Sequence, residues 1–142
     1  MEMGRTMQKA KVVNTFDLLS FQKGLINREE VREIELEFLV DTGAAMLCIP
    51  SKYIIQLGLD KMNEKNVRTA NGDAKRAVYS PVRLYIMDRD VDLNVMEIPE
   101  GVNAPPLLGY LPLEALDLYV NPREQKLSGN PETDGKMVLD MF

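Results

Sequence analysis

The 142-residue sequence contains no histidine and only one cysteine, Cys48. Without histidine, the Ser-His-Asp and Cys-His mechanisms have no internal base, and a zinc site built from cysteine and histidine is excluded. A single cysteine also excludes an intrachain disulfide. Carboxylates, lysines and tyrosines remain for acid–base chemistry. We therefore predict no metal site and no cofactor, and we expect Cys48, which lies among apolar residues, to be a buried structural thiol.

The chain also lacks a long apolar run and a clustered basic segment. No stretch reaches the length that crosses a bilayer, and the first eleven residues have no apolar core of signal-peptide length. These absences predict a cytoplasmic protein with no membrane partner. The net charge is −5 and the 17 basic residues are scattered, which argues against nucleic acid as a partner. The length suits one domain.

What the sequence does contain is alternation of apolar and polar residues, which is typical of half-buried strands. The clearest case is residues 33–40, where Ile34, Leu36 and Phe38 alternate with glutamates. Similar patterns, or β-prone composition, predict further strands over 12–21, 82–86, 91–95, 118–120 and 137–139. They also predict a hairpin over 67–79 and a second hairpin in which a turn at 88–90 joins 82–86 to 91–95. Two short helices are predicted, from Pro50 to a stop at Gly58 and from Pro112 to Leu118. The fold class predicted is all-β, closing into a small barrel or sandwich.

One tripeptide, Asp41-Thr42-Gly43, carries the candidate chemistry. It follows the apolar Phe38-Leu39-Val40 and precedes a second apolar run, Met46–Ile49. By chance, an Asp-(Ser/Thr)-Gly tripeptide occurs in a chain of this length on the order of one time in twenty. Taken alone it favours an ordinary turn, because aspartate and glycine are turn residues.

Two other segments change that interpretation. Asn71-Gly72 is a strong hairpin signal, and Leu107-Leu108-Gly109 stands just before the second predicted helix. Together with the apolar stretch that ends in Asp41-Thr42-Gly43-Ala44, and in this order across residues 31–127, they resemble the retropepsin-like aspartic proteases. On the residues alone, Gly109 is either a point where two chain segments pass closely or a helix-entry turn.

The resemblance implies a closed retropepsin-type barrel that acts as a homodimeric endopeptidase on peptides or unfolded proteins. Each subunit would contribute one catalytic Asp41, since the chain has one such motif and Thr133-Asp134-Gly135 has the wrong order. Thr42 would interlock the two loops, Gly43 would allow the tight turn, and Ala44 would support the loop and offer backbone to the substrate. The same resemblance assigns a flap tip, Asn71, Gly72 and Asp73, and a second apolar-glycine motif, Leu107, Leu108 and Gly109.

The chain is expected to divide into three parts: a flexible arm over 1–10, which is polar and Met-rich, the protease domain that the resemblance implies over 11–127, and a polar, turn-rich tail over 128–142. Residues 137–139 of the tail could supply a dimer-interface strand. One departure is the charge near the flap tip, on Asp73, Lys75 and Arg76. Two alternatives stay open: a barrel of the same fold that dimerises or binds peptides without cutting them, and an unrelated β-barrel in which the motif is accidental.

Overall fold

The computed structural model describes residues 5–141, which form nine strands and three short α-helices. The strands are β1 (Met7–Asn14), β2 (Glu33–Val40), β3 (Leu47–Pro50), β4 (Lys61–Thr69), β5 (Gly72–Ile86), β6 (Arg89–Ile98), β7 (Leu107–Leu108), β8 (Leu118–Asn121) and β9 (Lys126–Gly129). The helices are α1 (Thr15–Gln22), α2 (Ser51–Leu57) and α3 (Tyr110–Ala115), with 3-10 turns at Arg28–Glu30 and Pro131–Thr133. Within this part of the chain, no helix is long and apolar enough to span a bilayer.

Six of the strands close into a barrel. Their order is β1-β2-β7-β3-β6-β5, and β1 also pairs with β5, which closes the ring. Strand β4 pairs only with β5 and stands outside the ring, while β8 and β9 form a separate hairpin. The predicted closed β-barrel is confirmed, with one helix more than expected.

The core fills this barrel with side chains from alternate positions of its strands. On β2, Leu36 and Phe38 are buried while the glutamates between them are exposed, as the sequence predicts. On β5, Val82, Leu84 and Ile86 are almost fully buried. Burying a leucine, valine or phenylalanine side chain contributes about 1.5–3 kcal/mol, so this alternation fixes which face of each strand points inward.

The N-terminal region differs from its prediction in two places. Met7–Ala10, expected in a flexible arm, form the first half of β1 and pair with residues 36–39 of β2. The strand predicted over 12–21 is wrong beyond Asn14, where α1 begins. The Asn14 side chain accepts a hydrogen bond from the Asp17 amide and donates one to Leu57 O, so a helix cap outweighs the local β propensity. Residues 1–4 of the predicted arm lie outside the described residues.

The C-terminal region also departs from its prediction. The boundary placed between residues 127 and 128 falls inside β9, because Lys126–Gly129 pair with β8. The strand predicted over 137–139 is absent from the described chain, since residues 136–141 have no regular structure. Buried Arg89 instead anchors the region by donating hydrogen bonds to Leu116 O and Asp117 O, both at 2.8 Å, and to Gly135 O.

The remaining local predictions hold with small shifts. Helix α2 ends at Gly58, whose φ of +65° gives the left-handed cap that glycine favours. Helix α3 begins at Tyr110, two residues before Pro112, and ends at Ala115. The β5–β6 turn is Met87-Asp88, one residue earlier than expected, because Arg89 and Asp90 already pair with β5.

Candidate active site

Backbone pairing fixes the position of Asp41. Strand β7 lies between β2 and β3, parallel to the first and antiparallel to the second. Val40 is aligned with Leu108, and the Asp41 amide donates to Leu108 O at 3.0 Å. The chain therefore leaves β2, passes the end of β7 and returns along β3. Asp41 stands where the loop begins and is held there by main-chain hydrogen bonds.

The loop after Asp41 is a tight turn closed on the aspartate itself. The Ala44 amide donates to Asp41 O at 3.0 Å, and the Gly43 amide donates to Asp41 Oδ1 at 2.9 Å. A Cβ at Gly43 would lie 3.2 Å from that carboxylate oxygen. Asp41 is half-buried, whereas Thr42 and Gly43 are exposed. Within residues 5–141, Gly43 is the only hydrogen-bond partner of the carboxylate, so its second oxygen is free to meet another group.

Gly109 lies where the second motif passes this loop. A Cβ there would come within 2.6 Å of Ala44 O, the Ala45 carbonyl carbon and Met46 O. Three consecutive amides donate to the loop: Gly109 to Met46 O, Tyr110 to Ala44 O and Leu111 to Ala45 O, at 2.9–3.1 Å. Gly109 is also the residue that precedes α3. The close approach and the helix entry, which the sequence left as alternatives, therefore occur at the same residue.

A groove of about 540 Å³ runs between this loop and the β4–β5 hairpin. Gly43 and Ala44 line one end, and its apolar floor includes Met96, Ile98 and Leu107. The hairpin covers the other side, contributing residues 65–69 of β4 and Arg76 of β5. The dimensions and the apolar floor suit a ligand pocket, and the open, strand-lined form suits an extended peptide.

The predicted flap tip lies at the end of this hairpin but does not line the groove. Thr69 pairs with Gly72, so the two-residue turn is Ala70-Asn71 and not Asn71-Gly72. Gly72 has φ +108°, while Asn71 does not have a positive φ. Asp73 lies opposite Arg68, and all three predicted flap residues are exposed. The groove-lining positions of the hairpin were not predicted. Counting back in steps of two from the apolar Val78 could have suggested that Arg76 and Ala74 share its inward face.

Cys48 lies beneath the groove. Burial, and secondarily the negative charge of Asp41, raise the pKa of its thiol to about 11. Its Sγ donates weakly to Met46 O at 3.6 Å. At neutral pH the group is therefore an uncharged thiol, and its place in β3 agrees with the predicted structural role.

A second concave surface, of about 500 Å³, begins at Thr42 on the other side of the loop. We call it the Thr42 surface; it is formed by Thr42, Tyr110, Leu113, Glu114, Asp117, Leu118, Tyr119, Val120, Val138, Leu139 and Asp140. Three of its large apolar side chains are about half exposed: Tyr119 at 52%, Val138 at 55% and Leu139 at 56%. Contiguous exposed apolar surface of this kind is typical of an interaction site.

The described residues place no group of three or more histidine, cysteine, aspartate or glutamate side chains together as a metal site. Asp41–Ala44 and Leu107–Gly109 come together at the Asp41 loop, whereas Asn71–Asp73 lie at the far end of the hairpin.

Comparison with known families matches this same region. The model of the family described as "gag-polyprotein putative aspartyl protease" matches residues 26–114, more than half of the chain. The matched span runs from before β2 to α3 and so includes the Asp41 loop, the β4–β5 hairpin and Gly109. No curated protein matches the chain. On the family match and the barrel together, the chain belongs to this family of retropepsin-like aspartyl protease domains.

Proposed function

We propose that the protein is a homodimeric aspartic endopeptidase in which two Asp41 carboxylates, one from each subunit, activate a water molecule. The observation that carries the proposal is the Asp41 loop: a half-buried carboxylate fixed by the backbone, with one oxygen unpartnered within residues 5–141. Hydrolysis without a metal or a covalent nucleophile needs one carboxylate as base and a second as acid. Since the chain has one such motif, the second carboxylate would come from another copy.

The chemistry follows from the shared proton of such a pair. Two close carboxyl groups do not ionise together, so one is ionised and the other protonated; the aspartic proteases are themselves a standard example of this behaviour. The ionised Asp41 takes a proton from the water molecule, and the water oxygen attacks the scissile carbonyl carbon. The protonated Asp41 donates its proton to the carbonyl oxygen. The Asp41 that took the water proton then gives it to the amide nitrogen, while the other Asp41 takes a proton back from a hydroxyl of the tetrahedral diol. The C–N bond breaks and releases an amine and a carboxylic acid.

The Thr42 surface supports the dimeric form. It adjoins the catalytic loop and carries the half-exposed Tyr119, Val138 and Leu139. A two-fold axis near Thr42 would bury the same surface of both subunits, as a C2 interface requires, and would bring the two Asp41 loops together. The substrate, an extended peptide or unfolded protein segment, would lie in the groove under the β4–β5 hairpin. Such a hairpin can open to admit a chain and close to exclude water.

Replacing Asp41 by asparagine tests the chemistry. The side chain keeps its size and its oxygen for the Gly43 amide but loses the ionisable group, so cleavage of an unfolded protein substrate should fall by at least about a thousandfold. Asp134→Asn is the matched control, because Asp134 is an aspartate of the reversed Thr133-Asp134-Gly135 sequence and should leave cleavage unchanged. Equal cleavage by the parent and Asp41→Asn would rule out Asp41 as the catalytic group.

The dimer has its own test in sedimentation velocity at several concentrations. Val138→Asp with Leu139→Asp places two charges on the Thr42 surface and should shift the protein towards monomer. Cleavage by this variant should then be lost at low protein concentration and persist at high concentration. Ile55→Asp is the control, because Ile55 is 78% exposed on α2, outside the Thr42 surface. A parent protein that stays monomeric at every concentration while it cleaves substrate would overturn the shared site.

A further inference from the structure

The β4–β5 hairpin turns two cations towards the groove. Directly opposed residues of an antiparallel pair project from the same face, and Lys65 is opposite Arg76 just as Val67 is opposite Ala74. Val67 and Ala74 are partly buried, and Val78, two residues further along β5 from Arg76, is buried in the barrel. This face therefore looks down on the groove floor, and Lys65, Val67 and Arg76 all line the groove.

Neither cation has a carboxylate partner within residues 5–141. Arg76 donates only to Lys75 O, at 3.0 Å, and Lys65 forms no ion pair in this part of the chain. The one carboxylate that lines the groove, Glu97, is already bound by the Ser51 hydroxyl at 3.0 Å and the Tyr79 hydroxyl at 3.3 Å.

The opposite face of the same hairpin is arranged differently. There Arg68, which also borders the groove, lies across from Asp73, so opposite charges face each other, whereas Lys65 and Arg76 are like charges in directly opposed positions. Like charges so placed destabilise a strand pair. An anion between the two side chains would remove that repulsion and gain two attractive contacts, which no group of the free subunit supplies within residues 5–141.

We propose that Lys65 and Arg76 form a subsite for an acidic side chain of the bound peptide. The preferred segment is an extended stretch of apolar residues, which lie on Met96, Ile98 and Leu107, with one glutamate or aspartate under the hairpin. The proposal rests on the proposed function, since the occupant is the substrate of that site. A side-chain carboxylate is the relevant anion because the interior of a chain, where an endopeptidase cuts, has no terminal carboxylate.

Peptides with blocked termini test the subsite without altering the protein. A set of apolar octapeptides carries a single glutamate at each position in turn, and a matched set carries glutamine there. Binding is measured by fluorescence anisotropy on the Asp41→Asn protein, and cleavage is measured on the parent. At one position of the peptide, the version with glutamate should bind and be cut about tenfold better than the version with glutamine. This preference should decrease as the salt concentration rises. Equal binding of both sets at every position overturns the proposal.

Variants of the protein test whether Lys65 and Arg76 cause the preference for glutamate. Lys65→Gln combined with Arg76→Gln should reduce the glutamate-to-glutamine ratio towards one. Lys75→Gln removes one positive charge from the outer face of the hairpin, as many as either single variant, Lys65→Gln or Arg76→Gln, removes from the inner face. It should keep the ratio, because Lys75 does not line the groove. A ratio lost equally in both variants would show a general effect of net charge and would refute the subsite.

The two proposals fail in different ways. If the parent cuts the peptides without any preference for glutamate, the acidic subsite is wrong and the peptidase stands. If Asp41→Asn cuts as well as the parent, the proposed chemistry is wrong, and the binding comparison alone then decides whether the groove selects an acidic peptide.

Discussion

Replacing Gly109 by alanine would place a methyl group against the backbone of the Asp41 loop. The new Cβ would lie 2.6 Å from Ala44 O, from the Ala45 carbonyl carbon and from Met46 O. All three are main-chain atoms, so no side-chain rotation relieves the contact. Either the loop or the start of α3 must move by several tenths of an ångström.

The cost follows from what holds these segments together. Overpacking of this kind costs about 1–3 kcal/mol. The movement also lengthens the three hydrogen bonds from the amides of residues 109–111 to the loop, each worth about 1 kcal/mol. We expect a loss of about 3–4 kcal/mol in the free energy of unfolding, which corresponds to roughly 10 °C in Tm for a chain of this size.

Gly24→Ala provides a sharp comparison in the same thermal unfolding assay. Gly24 has φ +75°, but a Cβ added there would meet nothing within 4 Å, whereas Gly109 has an ordinary φ of −79°. Backbone preference alone would make Gly24→Ala the worse change, at about 1–2 kcal/mol, and leave Gly109→Ala nearly neutral. The contacts give the reverse order. If Gly24→Ala lowers Tm as much as Gly109→Ala, the close approach at Gly109 does not govern stability.

Three further predictions use other parts of the molecule. Because the charge of Asp41 contributes to the raised pKa of Cys48, Asp41→Asn should lower the midpoint of the alkylation rate against pH, and an unmoved midpoint would contradict that coupling. Hydrogen bonds from Arg32 hold the pKa of Asp17 below its ordinary 3.8, so Asp17 stabilises the fold above that pH and loses this effect as pH falls through the folded-state pKa. Asp17→Asn should therefore cost about 1 kcal/mol at pH 7 and little near pH 2, and an equal cost at both values would contradict the pair. Arg89→Met leaves carbonyls of the C-terminal region without their donor and should cost about 3 kcal/mol in urea unfolding, against which a loss below about 1 kcal/mol would argue.

The barrel was predictable because each strand carries its own alternation. The pattern at Ile34, Leu36 and Phe38 depends only on neighbouring residues, and the structure buries the expected face. Residues 7–10 offered no such signal, since Gln8 and Lys9 are polar and the strand exists through its pairing with β2. The helix at Thr15 was missed because its cap, Asn14, also binds Leu57 O, 43 residues away.

The residues of the candidate site also fall into those that the sequence could identify and those that it could not. Asp41-Thr42-Gly43 and Leu107-Leu108-Gly109 could be found because, taken together and in this order, they resemble the retropepsin-like aspartic proteases, although each alone is uninformative. The pairing of the two cations under the hairpin could not be assigned, because an Asn71-Gly72 turn would place Lys65 opposite Val78 and Arg76 opposite Val67. The observed turn begins one residue earlier, and this places Lys65 opposite Arg76.

Three features of the isolated subunit are energetically unfavourable. Two lie beside the Asp41 loop and one lies across the groove from it, and together they argue for a partner and a substrate. Half-exposed Tyr119, Val138 and Leu139 leave apolar area in water beside Thr42. One oxygen of Asp41 has no partner within the described chain, and Lys65 faces Arg76 without a counter-charge there. Marginally stable proteins carry such costs where function requires them. A second subunit would relieve the first two and a bound acidic peptide the third, so binding free energy would be gained at the place where the chemistry is proposed to occur.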